Sequence, residues 1–264
     1  MAASVLITLT TDFGDSEYVG AMKGVIVAVN PEVRVIDVTH GIRRHSIRHG
    51  AYALLTAIPH FPFAVHVAVV DPGVGTDRKA LAIACEGAYL VGPDNGLLIP
   101  AARRLGLKEV RCIESTALQG LKRSATFHGR DVFAPVAAHL AAGIKFREVG
   151  PVTDEWVDLD FGTAVKTPDG LQASVICADG FGNIITNATG DALPPRFLPG
   201  TPVRVVVGSR RFDAKAVRTY GDALDGELVV LVGSGGYVEL AVNRGSAEDR
   251  LRVGEAEEIL LQMN

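Results

Sequence analysis

Strand-length apolar runs alternate with helix-length apolar stripes through the first half of this chain, and that alternation constrains its fold more than any other feature. Ser4 to Thr10 reads as a buried strand, and Thr11-Asp12-Phe13-Gly14 supplies its turn. Val19, Met22, Val25, Ile26 and Val29 then recur at helical spacing until Asn30-Pro31 stops the helix. Val33 to Val38 is expected as a strand, Gly50 to Ile58 as a helix ending before Pro59, and Ala64 to Val70 as a strand that halts at Asp71. Such an order calls for a largely parallel sheet covered by helices. Leu81 to Cys85 and Ala88 to Val91 form a hairpin around Glu86-Gly87, followed by helices over Leu97 to Leu105 and Val132 to Ala142, with Pro135 near the start of the second.

The texture changes after Gly150. Residues 150 to 170 are rich in acid, proline and glycine and read as a linker, after which nearly everything is short strand. The expected strands are Leu171 to Ala178, Asn183 to Asn187, Pro202 to Val207, Arg210 to Ala214, Glu227 to Val232, Tyr237 to Val242 and Glu258 to Leu261, which suit a small barrel or sandwich. The expected division is an α/β domain over 1–165, with a parallel-rich sheet sandwiched by helices, and an all-β, barrel-like domain over 166–264.

A net charge of -4 gives no basic field for a phosphate backbone, so nucleic acid is not an expected partner. No apolar run approaches the roughly 18 to 20 residues of a membrane helix, and Met1 to Thr11 lacks the basic start of a secretory signal. A cytoplasmic protein that engages no membrane is expected. Cys85, Cys112 and Cys177 are too widely spaced for a disulfide framework or zinc site and read as small buried hydrophobes.

Val69 to Arg78, VVDPGVGTDR, places an acid and a guanidinium on a glycine-bent loop at a strand end, where open α/β sheets bind ligands; a solvated surface turn would look the same. Asp12, past the first strand, suits two ribose hydroxyls or a helix N-cap. His128 stands before Gly129 at the approach to a helix, as a general base or a histidine satisfied by its neighbours, with Arg130 and Asp131 as an ion pair beside it. In Asp179-Gly180-Phe181-Gly182-Asn183, a ring and an amide suit a purine, and a tight hairpin suits the same residues. Gly233-Ser234-Gly235-Gly236 reads as a strand connection, because the P-loop lysine and following helix are missing. HExxH, CxxC, GxSxG and EF-hand patterns are absent, and the scattered histidines His40, His45, His49, His60 and His66 read as solvent-facing or core residues, with His45 and His49 at i, i+4 as the pair that metal ligation would use instead.

Taken together, TTDFG (Thr10 to Gly14), VIDVTHGI (Val35 to Ile42), VVDPGVGTDR (Val69 to Arg78), GPDNGLL (Gly92 to Leu98), TFHGRDVFAP (Thr126 to Pro135), DGFGNIITN (Asp179 to Asn187) and GSGGYVELAVNRGSA (Gly233 to Ala247) resemble the adenosine-forming S-adenosylmethionine hydrolases, relatives of the bacterial fluorinase and chlorinase. The resemblance implies a two-domain homotrimer with sites between the first domain of one subunit and the second of its neighbour, and no metal or organic cofactor. It puts Asp71, Arg78 and His128 on the hydrolases' Asp-Arg-His set and Asp12 on the ribose acid, with Phe127 as a further substrate contact. Phe181 and Asn183 fall on the adenine site, Asp179 on the methionine amino group and Ser234 on the methionine side. In the fluorinase pattern the positions of Asp71, His128 and Gly129 carry Tyr, Tyr and Ser, and a loop is inserted after the position of Arg78. His45 stands where the family usually places a larger apolar or aromatic ring. The expected activity is hydrolysis of S-adenosylmethionine to adenosine and methionine; a halide-dependent halogenase and a non-catalytic nucleoside-binding or sensor protein are the alternatives.

Overall fold

The structure, a computed structural model, describes residues 6–120 and 123–263, so Ser4 and Val5 of the expected first strand lie outside the described residues. Contacts divide the chain into two compact units, Met1–Leu159 and Asp160–Asn264.

The first unit runs β1 (Leu6–Thr11), α1 (Glu17–Val29), β2 (Arg34–Thr39), α2 (Ile47–Ala57), β3 (Ala64–Val69), β4 (Ala80–Cys85), β5 (Ala88–Pro93), α3 (Ile99–Arg104), β6 (Leu107–Cys112) and α4 (Ala134–Ala141). Its sheet has the order β2-β1-β3-β5-β4-β6. β1 lies parallel to both β2 and β3, β3 parallel to β5, and β4 antiparallel to β5 and β6. The apolar run of β3, broken only by His66, is explained by burial along its whole length. Ile7, Leu9, Val65, Val67 and Val69 pack with Met22 and Ile26 of α1 and Val136 and Leu140 of α4 in one core. Met22 and Ile26 are fully buried, each worth about 1.5–3 kcal/mol of apolar transfer.

From β1 the chain moves outward to β2 and then crosses back to β3 on the other side of β1. The direction of winding therefore reverses between β1 and β3, whose carboxyl ends meet at the Thr11 and Val69 pairing. A crevice opens at such a point, which is why open α/β sheets bind ligands there.

Three local features differ from the sequence expectation. The helix expected from Leu97 starts only at Ile99, because Asn95 donates from Nδ2 to the Val70 carbonyl (2.8 Å) and accepts from Leu97 N–H (3.2 Å), holding a turn. β6 was not anticipated, since Lys108, Glu109 and Arg111 leave its apolar signal broken. The helix expected from Val132 is preceded by a wide turn, Gly129–Phe133, that leads into α4.

The second unit contains β7 (Val165–Thr167), β8 (Gly170–Ala178), β9 (Ile184–Thr189), β10 (Pro202–Val207), β11 (Arg210–Ala216), β12 (Leu228–Val232), β13 (Tyr237–Val242), α5 (Ala247–Leu251) and β14 (Glu258–Met263). Neighbours run β14-β10-β11-β12-β13-β9-β8, and β14 pairs back on β8, which closes a barrel of seven strands with β7 added outside β8. Closure removes the unpaired edges a sandwich would leave. Alternation fills the interior: Val203, Val205 and Val207 of β10 are buried while Pro202 and Arg204 are exposed. β7 and α5 were not anticipated; the short α5 is capped by Ser246, whose hydroxyl accepts from Asp249 N–H at 3.0 Å. Cys85 and Cys177 are buried free thiols as expected, whereas Cys112 is only half-buried.

One histidine of the first core makes stability pH-dependent. His66 on β3 is 1% exposed, shares a 2.7 Å hydrogen bond with the Thr8 hydroxyl on β1, and is pushed down by burial to about 4. Its folded value lies below its unfolded one, so the unfolded chain takes up the proton first. Stability is fully present above about pH 6.5 and is lost as pH falls toward about 4, by up to about 3 kcal/mol. Denaturant unfolding of wild type and His66→Gln across that range checks this: the variant is expected to show a flatter profile.

Candidate functional site

Asp12 directly follows β1 and Asp71 follows β3 by one residue, so the two acids stand at the reversal point of the sheet. Around them lies a cavity of about 310 Å³ lined by Asp12, Phe13, Tyr18, His45, Asp71, Val74, Phe127, His128 and neighbouring residues. The structure thus brings Asp12, Asp71, Phe127 and His128 to one pocket, with Arg78 bonded to two of them.

The bonds of Arg78 tie the cluster together. Its Nε donates to Asp71 Oδ1 at 2.9 Å and its Nη2 donates to Asp71 Oδ2, a two-pronged pair with side chains only 10% and 6% exposed. Nη2 also donates to His128 Nδ1 at 2.9 Å, and the guanidinium lies 5.2 Å from the centre of the Phe133 ring. A guanidinium has no lone pair to offer, so Nδ1 accepts and the hydrogen of the neutral ring belongs on Nε2. His128 is buried, and its affinity for a second proton is lowered by that burial, then by Arg123 and Arg78, with Asp71 and Asp131 opposing. The balance favours the neutral ring.

Backbone shape makes the convergence possible. Gly75 adopts φ +83°, and a β-carbon there would stand 2.5 Å from the Ala125 carbonyl oxygen. The loop from Asp71 to Arg78 can lie against the segment before His128 only with glycine at this point. That segment is pinned by Asp131, which accepts from Ser124 N–H at 2.7 Å and pairs with Arg130 at 2.7 Å, the ion pair expected from sequence.

Asp12 is not a helix cap: Ser16 occupies the N-cap position of α1, and Asp12 Oδ2 instead accepts from His45 N–H at 2.9 Å. His45 meets it with a left-handed backbone, φ 66°. The turn carrying Asp12 is held from the end of β2, where His40, the next residue, bonds the Thr11 hydroxyl through Nδ1 at 2.8 Å, and its Nε2 lies 3.1 Å from Asp37, itself bonded to Lys23 at 2.6 Å. Read with the other scattered histidines, His40 does not stand out in the sequence; its place inside the VIDVTHGI motif was the available signal. Tyr18 was also missed as a site residue. Its ring meets Phe13 and Phe127 edge-on at 5.8 and 5.1 Å, forming the aromatic wall of the pocket.

In the second unit, Asp179, Phe181 and Asn183 share the turn between β8 and β9, and Ser234 sits in the turn between β12 and β13. Asp179 Oδ1 accepts from the N–H groups of Phe181 and Asn183 at 2.8 and 2.9 Å, while Oδ2 accepts from the Asn183 side chain at 3.0 Å. This leaves the Phe181 ring 83% exposed, an apolar face offered to whatever approaches. Glu239, under the Gly233 turn, is buried and accepts from the Tyr220 hydroxyl at 2.9 Å. Burial and the nearby Asp179 raise its carboxyl above the usual range against the Tyr220 bond. Neither Glu239 nor Tyr220 stood out in the sequence, where each looks like an ordinary strand or turn residue. Among the described residues no cluster of three or more His, Cys, Asp or Glu is arranged to hold a metal, and no helix is long and apolar enough to cross a membrane.

Comparison with known proteins agrees with the motif resemblance. The family model described as SAM hydroxide adenosyltransferase N-terminal domain matches residues 7–150, and its C-terminal counterpart matches residues 173–260. A protein from Salinispora tropica named (R)-S-adenosyl-L-methionine hydrolase is 44% identical, with 96% of each chain covered. A fluorinase from Actinopolyspora mzabensis is more distant, 28% identical with 91% of each covered. The solved structure of an uncharacterized conserved protein from Thermotoga maritima superposes with TM-score 0.89 at 39% identity, covering 97% of this chain and 99% of that one. Matched by both family models and by relatives over nearly its whole length, the chain belongs to the SAM hydroxide adenosyltransferase family.

Proposed function

We propose that this chain is an S-adenosylmethionine hydrolase, cleaving its substrate to adenosine and L-methionine by attack of water-derived hydroxide on the ribose C5′ carbon. The observation that carries the reading is the fixed Asp71, Arg78 and His128 cluster at the mouth of the β1 and β3 crevice. The name of the Salinispora relative specifies the R form of a compound whose amino acid is already L, so R refers to the sulfonium. The same epimer is the substrate proposed here.

Attack at C5′ forms the carbon–oxygen bond as the carbon–sulfur bond breaks, and its electron pair leaves with methionine as a neutral thioether. Opposite charges are neutralised on the way, so a site that excludes bulk water favours the transition state. Water itself has a pKa of about 15.7, and its anion needs a fixed positive partner. Arg78 supplies that charge and Asp71 keeps the guanidinium in place. The proton lost in forming hydroxide stays in solvent, and the Nε2–H of the neutral His128 ring donates to the attacking oxygen; the ring does not store the proton, because an imidazole beside two guanidiniums resists a second one. Asp12 takes the ribose hydroxyls and Phe127 the ribose face. Asp179, Phe181, Asn183 and Ser234 serve the methionine and adenine ends. The mechanism invokes no cofactor, and the homotrimer and cytoplasmic location remain part of the reading.

Incubation with S-adenosylmethionine in heavy-oxygen water tests it. Label is expected on the 5′ oxygen of adenosine and not on methionine. Unlabelled adenosine, or chloride-dependent 5′-chloro-5′-deoxyadenosine, would overturn it; the latter is disfavoured by Asp71 and His128, where the fluorinase pattern carries tyrosines.

A further inference from the structure

His128 is approached by two guanidiniums, one at each ring nitrogen. Arg78 Nη2 lies 2.9 Å from Nδ1, and Arg123 Nε lies 3.3 Å from Nε2. Both arginines can only donate, and a neutral imidazole has one lone pair in its plane, so both contacts cannot be hydrogen bonds at once. Arg78 is locked by Asp71 and makes the shorter contact, so it takes the lone pair. Arg123 then faces an N–H, and what it contributes there is charge.

The two arginines also differ in their surroundings. The charge of Arg78 is matched by Asp71, whereas among the described residues Arg123 has no carboxylate at ion-pair distance. Arg123 is exposed and does not line the pocket of Asp12 and His128; it lines a second cavity of about 600 Å³ with Glu114, Thr116 and Gln119. Among the described residues, its hydrogen-bond contact with the first pocket is the one to His128.

We propose that Arg123 is a positioning residue of the hydrolysis, standing against Nε2 of His128 so that the imidazole stays neutral with its Nδ1 lone pair committed to Arg78. The charged groups that face His128 among the described residues are Arg78 and Arg123, which oppose protonation, and Asp71 and Asp131, which favour it. Asp71 is bound by Arg78 and Asp131 by Arg130, so the carboxylates are largely offset. Arg123 is the member of the set without such an offset, and removing it lets the proton on at higher pH.

The role rests on the reading of His128 as the group that holds the attacking oxygen, and two separate measurements keep the two apart. The first follows the His128 ring by NMR in histidine-labelled protein, with His128→Asn identifying its signal. The second is the pH profile of kcat and KM for adenosine formation. In Arg123→Gln the His128 titration and the acidic limb of kcat are expected to move together to higher pH, with KM near wild type; Arg123→Lys is expected to restore both. An unmoved His128 titration in Arg123→Gln overturns the proposal, as does an equal shift in Arg123→Lys. Absence of adenosine formation in wild type would instead remove the hydrolase reading, while a moved NMR titration would still support the control of His128 by Arg123.

Discussion

Arg78→Ala is expected to lower kcat for adenosine formation by about a hundredfold to a thousandfold or more, the cost of deleting one fixed donor aimed at a developing or reacting oxyanion. His128→Ala is expected to fall in the same range, because the two side chains share a bond and, in the proposed mechanism, act on one oxygen. Nucleoside binding should survive in both, since Asp12 is held by His45 N–H and the wall of Phe13, Tyr18 and Phe127 is packed independently of Arg78. Arg78→Lys separates charge from geometry. Lysine keeps the positive charge but cannot reach both Asp71 oxygens and His128 with one rigid fork, so it should recover only a small part of the loss. Turnover measured by adenosine formation, beside adenosine binding by calorimetry, checks the pattern. Wild-type turnover in either alanine variant would take the cluster out of the chemistry.

The sequence revealed this architecture where one physical signal acted alone. β1, β3 and the hairpin of β4 and β5 are rich in apolar residues and buried along almost their whole length because both faces of their sheet are covered, and they stood out accordingly. β6 did not, because Val110 alone of its six residues is buried and charged side chains break its apolar run. The start of α3 was misplaced because the Asn95 side chain, not hydrophobic spacing, decides where the turn ends. Closure of the barrel depends on β14 finding β8 across most of the second unit, a pairing that no local pattern encodes. Candidate site residues were visible through motifs and strand ends. Their partners were not: the bond of Arg78 to His128 spans fifty positions and the contact of Arg123 is set by the path of a loop. The left-handed backbone at His45 and the edge-on ring of Tyr18 are likewise products of packing.

Removing Asp71 tests whether its pairing with Arg78 is structural as well as chemical. Exposed pairs such as Arg204 and Asp213, 52% and 90% exposed, are worth at most about 1 kcal/mol, because water solvates either partner left alone. Asp71 and Arg78 are 6% and 10% exposed, so Asp71→Ala strands a charge where water cannot fully replace the carboxylate. The expected loss is about 3–5 kcal/mol of unfolding free energy. The lower end is favoured because Arg78 keeps its bond to the Lys79 carbonyl at 3.1 Å and the Phe133 ring beneath it. Combining Asp71→Ala with Arg78→Met removes the stranded charge and refills its volume, so most of that stability should return. Activity should not return, because the double variant has no fixed cation to hold hydroxide. Urea unfolding and adenosine formation measured on the wild type, both single variants and the double variant separate the two consequences. If Asp71→Ala proves as stable as wild type, the pair is solvated in solution and Asp71 acts only by aiming Arg78; if the double variant is no more stable than Asp71→Ala, the loss came from the shape of the Asp71 loop rather than from an unpaired charge.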